Sequence, residues 1–244
     1  MVKKYTIQLS AVFILFLVWI ALYYVINQPL LMPSLFDTSI AFSKLFYVKS
    51  SIFAWLNSLF RLILILMVSG FLGIILGAIS SVNKKIEIFM TPYVTILRTI
   101  PVISIIVILM ILFGFRSTPY IVTFFMVFPI VYQQTLDSIK SIEPAYLDVY
   151  HLEDHHFLNG LRYCYLPLTG HHILTGLLQS AGLGFKVLVM TEYLSQTPHS
   201  IGQALYISKI NLQYDFVFAW TIWMIIVSVF IEFLIRKLQH KIIL

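Results

Sequence analysis

The chain has 244 residues, of which 60% are hydrophobic and only 11% charged, with a formal net charge of +6. A soluble domain carries about 25% charged residues, so this chain cannot clothe an apolar interior in a polar surface, and a water-soluble fold is excluded. The Lys and Arg residues sit in short groups at the ends of apolar runs, which is the distribution of membrane orientation rather than of a nucleic-acid surface. The predicted class is an all-α, polytopic membrane helix bundle with lipid as its surroundings and no nucleic-acid partner.

The first apolar run, Thr6–Asn27, follows Lys3 and Lys4. At about 22 residues it is long enough to span and longer than the apolar part of a signal peptide. The next stretch, Gln28–Ser51, is broken by Pro29, Pro33, Asp37, Lys44 and Lys49. It is expected outside, with a short helix on the surface. A second span runs from about Phe53 to Ser81 and ends at Lys84 and Lys85. Within it Ser69, Gly73 and Gly77 recur every four residues and share one helix face, where small side chains let another helix approach closely.

The third span, about Ile86–Phe115, is interrupted at Arg98-Thr99-Ile100-Pro101. Proline removes a backbone donor and biases the residue before it away from helix. Such a break persists at membrane depth only where protein or a water-filled cavity satisfies the freed groups. A fourth span covers about Pro119–Ile139, and Lys140 opens a polar loop from Ser141 to about Thr169. The fifth span, about His171–Leu194, the polar stretch Ser195–Asp215 and the sixth span, about Phe216–Ile235, complete the chain.

About six spans therefore result, with the polar loop between the fourth and fifth. Counting basic residues orients them. Lys3, Lys4, Lys84, Lys85, Lys140, Arg162, Arg236, Lys237 and Lys241 fall on one side, and Lys44, Lys49, Arg116 and Lys209 on the other. Nine against four places both termini and the polar loop in the cytoplasm of a plasma or inner membrane, multi-pass.

Three further ionisable groups lie at or near membrane depth: Arg98, Lys186 and Glu192. A charge at the bilayer centre costs about 2.5–3.5 kcal/mol on insertion scales, so it faces protein or water. All three are candidates for a translocation pathway. Lys186 and Glu192 are six residues apart, about 120° around a helix, so they do not share a face. The alternative of snorkelling to the interface suits Glu192 best, and Arg61, near the outer end of its span, is expected to reach headgroups.

No G-x-x-x-x-G-K-[ST] sequence is present, so any ATP hydrolysis belongs to another chain and the protein needs no cofactor of its own. His151 and His155 are four apart, but they are not H-E-x-x-H and no third ligand accompanies them, which favours a solvated loop over a metal site. The single Cys164 excludes an internal disulfide,. No nucleophile–base pair stands at one depth, so an enzyme is not indicated.

Four patterns in order complete the reading: Ser58-Leu59-Phe60-Arg61; Arg98-Thr99-Ile100-Pro101; the polar loop running to Leu166-Pro167, with Gly176 nine residues beyond that proline; and Glu192 followed by Ser200-Ile201-Gly202. Together they resemble the type I membrane-spanning permease subunits of bacterial ABC importers, nearest the branch handling nitrate, sulfonates, taurine and thiamine precursors. The resemblance covers about Phe53–Lys237 and implies a permease domain at 53–240, preceded by an N-terminal helix and external connection at 1–52. It implies a solute pathway that works by alternating access. It further implies a cytoplasmic ABC ATPase that binds the ATP, an extracellular or periplasmic solute-binding protein, and a second permease copy or close relative.

In that family a Glu-Ala-Ala motif, then a glycine and Leu-Pro, forms the coupling helix that seats in the ATPase. Here Asp148-Val149-Tyr150 stands in the Glu-Ala-Ala place, Asp154 in the glycine place, and Leu166-Pro167 match. The alternative from another class is a self-sufficient secondary transporter or channel, which requires more ionisable residues deep in several spans than this chain has.

Overall fold

The computed structural model describes residues 2–143 and 165–242. Asp148, Val149, Tyr150 and Asp154 of the expected coupling motif, and His151 and His155, lie outside the described residues. Eight helices make up the described part: α1 Val2–Ile26, α2 Leu35–Lys44, α3 Lys49–Val82, α4 Lys84–Thr99, α5 Val102–Lys140, α6 Leu166–Ser195, α7 Ile201–Ile210 and α8 Tyr214–Ile242. Among the described residues four segments are long and apolar enough to cross a membrane, against the six or so expected: Lys49–Val82, Val102–Lys140, Leu168–Ser195 and Tyr214–Leu234.

Local sequence sets the helix ends. Ser34 caps α2, its Oγ accepting from Asp37 N at 3.0 Å and donating to Asp37 Oδ2 at 2.6 Å. Asn83 separates α3 from α4 in an extended conformation, and its Oδ1 accepts from Lys85 N and Ile86 N. These are short polar side chains meeting the orphan donors of a first turn. Leu166 and Pro167 open α6, proline falling in the first turn, where its missing N–H removes no helical bond.

The break foreseen at Pro101 is present. Ile100 is extended (ψ 133°) between α4 and α5. The turn expected between the third and fourth spans, after Phe115, falls at Gly114, which adopts φ 74° and ψ 168°, a conformation open chiefly to glycine. The chain reverses there. Ile106 and Val122 would stand about 24 Å apart along a continuous helix, yet Ile105, Ile106 and Leu109 pack in one cluster with Val122 and Met126. The far ends meet as well, since Lys140 Nζ lies 2.6 Å from Glu87 Oε2. Helix α4 and the first arm of α5 thus run down the second arm as a broken antiparallel hairpin. Arg116 and Pro119, expected around an external loop and a span start, belong to the second arm.

Small residues bring the main helices together. Ser69, Gly73 and Gly77 are buried on one face of α3. A β-carbon on Gly73 would stand 2.9 Å from Val131, and one on Gly77 would stand 2.7 Å from the Tyr132 carbonyl oxygen. Gly184 of α6 abuts Val127, and Gly176 lies against Gln134. The second arm of α5 is therefore held between α3 and α6 at near-backbone contact. The opposite stripe of α3, with Phe60, Ile63, Met67 and Phe71, is exposed, as a lipid-facing surface requires. Helix α2 and the residue that ends it add Ala41 and Leu45 to the core formed by α3, α6, α7 and α8, and Trp19 of α1 meets Phe218 with ring centroids 4.9 Å apart.

Candidate functional site

Two polar constellations stand out against this apolar frame. The first is buried where α3, α6 and α7 converge. Glu192 has no exposed surface. Ser58 Oγ lies 2.7 Å from its Oε2 and 2.9 Å from its Oε1, and Arg61 Nη1 donates to Oε1 at 2.8 Å. Gly202 N adds a long bond of 3.4 Å to Oε2. The Ser58 hydroxyl also accepts from Ile201 N at 3.0 Å, and Arg61 Nη2 donates to the Pro198 carbonyl at 3.1 Å.

The carboxylate thus sits at the start of α7, whose aligned N–H groups favour negative charge. Ser200 caps that helix by accepting from Gln203 N at 3.0 Å. Gly202 permits the approach, because a side chain there would collide with the backbone of Glu192 and Tyr193. The snorkelling alternative for Glu192 and the expectation that Arg61 reaches headgroups are thereby corrected. Burial leaves Glu192 no route to water, and a charge-assisted pair with full hydrogen bonding is the stable alternative.

The second constellation is a cavity of 460 Å³ between α4 and the second arm of α5, lined by Glu87, Thr91, Val94, Thr95, Arg98, Thr99, Tyr132, Gln133 and Leu136. Glu87, Thr91, Thr95 and Thr99 are spaced by four and form a polar stripe along α4. Arg98 is exposed toward the cavity and joins no ion pair among the described residues. At the lower end Glu87 is held by Lys140 at 2.6 Å and Lys84 at 3.2 Å. The Tyr132 hydroxyl is buried without a hydrogen-bond partner.

The pathway candidates are not brought together. Arg98 lines this cavity, and Glu192 lies in the buried cluster. Lys186 is exposed on α6, beside a separate, apolar cavity against Thr221, Met224, Ile225, Ser228 and Val229 of α8. Sequence reasoning missed the threonine stripe, Tyr132 and Gln133. The four-residue spacing of Glu87, Thr91, Thr95 and Thr99 was legible in the chain, whereas Tyr132 and Gln133 join the cavity only through the reversal at Gly114. Among the described residues no group of three or more His, Cys, Asp or Glu side chains could hold a metal.

A bundle with apolar outward faces, knit by small residues around a broken helix that lines a polar cavity, defines a polytopic membrane subunit. The family profile "Binding-protein-dependent transport system inner membrane component" matches residues 69–244. The chain belongs to that family, the transmembrane permease subunits of ABC importers. It is 23% identical over 188 residues, covering 76% of this chain and 67% of the relative, to the "Putative aliphatic sulfonates transport permease protein SsuC" of Bacillus subtilis (strain 168).

Two solved structures share the fold. The crystal structure of an amino acid ABC transporter with histidines has a TM-score of 0.67 and 14% identity, covering 82% of this chain and 97% of that one. An inward-facing MetNI methionine ABC transporter has a TM-score of 0.62 and 14% identity, covering 77% and 95%. The all-helical membrane-bundle class read from the sequence and the ABC importer permease function stand on these matches, which do not favour the self-sufficient transporter.

Proposed function

We propose that this permease passes its solute along the α4–α5 cavity by alternating access, with Arg98 facing the pathway. Two copies, or this chain and a close relative, form the conduit. ATP is bound and hydrolysed by separate cytoplasmic ATPase subunits, and an external solute-binding protein delivers the solute. The supporting observation is the break at Ile100-Pro101 beside a polar cavity, since a helix interrupted at membrane depth is tolerated where it borders water or protein. Packings that interlock through Gly73 and Gly77 switch between discrete arrangements rather than deforming continuously, which is the form a two-state gate takes.

In this reading both termini and the loop after Lys140 are cytoplasmic. Asp148, Val149, Tyr150, Asp154, Leu166 and Pro167 couple the bundle to the ATPase, with Tyr150 supplying apolar contact area. Glu192, Ser58 and Arg61 hold the opposite end of the bundle together rather than touching solute. The test is purification of the complex from cells bearing Tyr150→Asp, with ATPase content and solute uptake measured together. The expected result is normal membrane insertion with loss of ATPase and of uptake. Full ATPase content with normal uptake would show that this loop is not the coupling element.

A further inference from the structure

We infer that the ion pair from Glu87 to Lys140 is a reversible clasp on the α4–α5 cavity: α4 swings at the Ile100-Pro101 joint, and the mouth beside Lys140 opens when the pair parts. This rests on the reading of that cavity as the pathway. Helix α4 is built to move. Extended residues stand at both its ends, Asn83 (φ −126°, ψ 100°) and Ile100 (φ −65°, ψ 133°), and element-terminal residues absorb the turning of a hinge. Pro92 removes one bond from its own ladder,. Among the described residues it buries Val94 alone, against Phe128, Tyr132 and Leu136. The close glycine contacts that join α3, α5 and α6 leave α4 out. A segment with few buried contacts lies at the low end of local stability.

The two ends of α4 are held differently. At the Ile100 end the chain is anchored, because Ile100 and Val102 pack against the cluster around Ile106 and Val122. At the other end Val82, Lys84 and Lys85 are exposed, and Glu87 reaches across to α5, 2.6 Å from Lys140 and 3.2 Å from Lys84. The other carboxylate at this mouth, Asp137, accepts from Gln133 at 2.8 Å, which leaves Lys140 to Glu87. Glu87 lies in the first turn of α4 and Lys140 in the last turn of α5, where the helix dipoles favour those charges. The Lys140 side chain is 38% exposed, and an ion pair open to solvent is weak, as a contact that breaks and re-forms must be. Glu87 stands 13 residues from Ile100, about 20 Å along the helix, so a swing of about 10° carries it about 3 Å and parts the pair.

The test uses the whole transporter in lipid nanodiscs on a Cys164→Ser background, at rest and trapped with ATP and vanadate. Spin labels at Ile88→Cys on α4 and Ser141→Cys at the end of α5, both exposed positions, report the distance across the clasp. In a separate variant, Thr95→Cys on the cavity wall reports access by its rate of reaction with sulfonatoethyl methanethiosulfonate. Two populations of distance are expected, about 3 Å apart. Glu87→Gln is expected to shift their balance toward the longer one by about two- to fivefold, the worth of an exposed ion pair, and to speed the Thr95→Cys reaction in the same proportion. Exchanging the charges, Glu87→Lys with Lys140→Glu, is expected to restore both, since Lys84 is exposed enough to turn away. One distance in every condition would overturn the swing. Two populations whose balance ignores Glu87→Gln would overturn the clasp. A Thr95→Cys that never reacts, with both distances still seen, would overturn the pathway reading while α4 still moved.

Discussion

Arg61 is the residue whose removal the structure prices most sharply. Glu192 is wholly buried, while the Arg61 side chain is 12% exposed, so solvent screening of the pair is slight. With Arg61→Leu the carboxylate keeps one hydroxyl from Ser58 and the 3.4 Å contact from Gly202 N, and the Pro198 carbonyl loses its donor. Leaving a buried charge without its partner costs about 3–5 kcal/mol. Glu192→Gln keeps the shape but converts the bond to Arg61 into one without a full negative charge, at a cost of about 1.5–3 kcal/mol. Arg61→Leu combined with Glu192→Leu removes both charges and is expected to recover much of the loss, as replacement of buried pairs by apolar groups does. The assay is chemical unfolding of the purified permease in detergent, read as a double-mutant cycle. Arg61→Leu within about 0.5 kcal/mol of the parent, below the range for any lost buried ion pair, would refute the assignment of this cluster as a latch between α3, α6 and α7.

Gly114→Ala is expected to destabilise by about 1–3 kcal/mol through backbone strain, although no atom crowds the position; unfolding in detergent measures it. Gly77→Ala meets the Tyr132 carbonyl at 2.7 Å and is expected to cost about 1–3 kcal/mol by overpacking, whereas Gly182→Ala, with open space around it, is expected to be neutral or better by the same assay. Gly73→Leu is expected to reduce the yield of assembled complex more than Leu72→Ala, seen by size-exclusion of solubilised membranes. On a Cys164→Ser background, a cysteine at Asn159 is expected to resist an impermeant thiol reagent in intact cells, and labelling from outside would reverse the topology.

Much of the fold was legible in the chain because lipid leaves few solutions. An apolar run of about 20 residues must satisfy its backbone internally and so becomes a helix, which located α1, α3, α6 and α8, although the polar ends of α6 and α8 extend beyond the apolar runs. Pro101 announced its own break, since its ring and missing N–H act locally. The four-residue spacing of Ser69, Gly73 and Gly77 marked the buried face of α3 in the same way, because helical periodicity converts spacing directly into a face.

What the tertiary structure alone decided is which distant groups meet. Arg61 and Glu192 are 131 residues apart, and each by itself reads as a charge near a span's end, free to reach the interface. Only the convergence of α3, α6 and α7 removes that freedom and makes the pair. The end of the third span was legible near Phe115, but not that Gly114 would make the turn by a positive φ and fold the two arms of α5 against each other. That reversal sets Tyr132 and Gln133 beside Arg98 and turns an isolated arginine into the wall of a cavity. Helix formation depends on neighbours a few residues away, which one sequence displays. The pairing of charges across the bundle depends on how whole helices seat against each other, and their contacts carry no local mark in the chain.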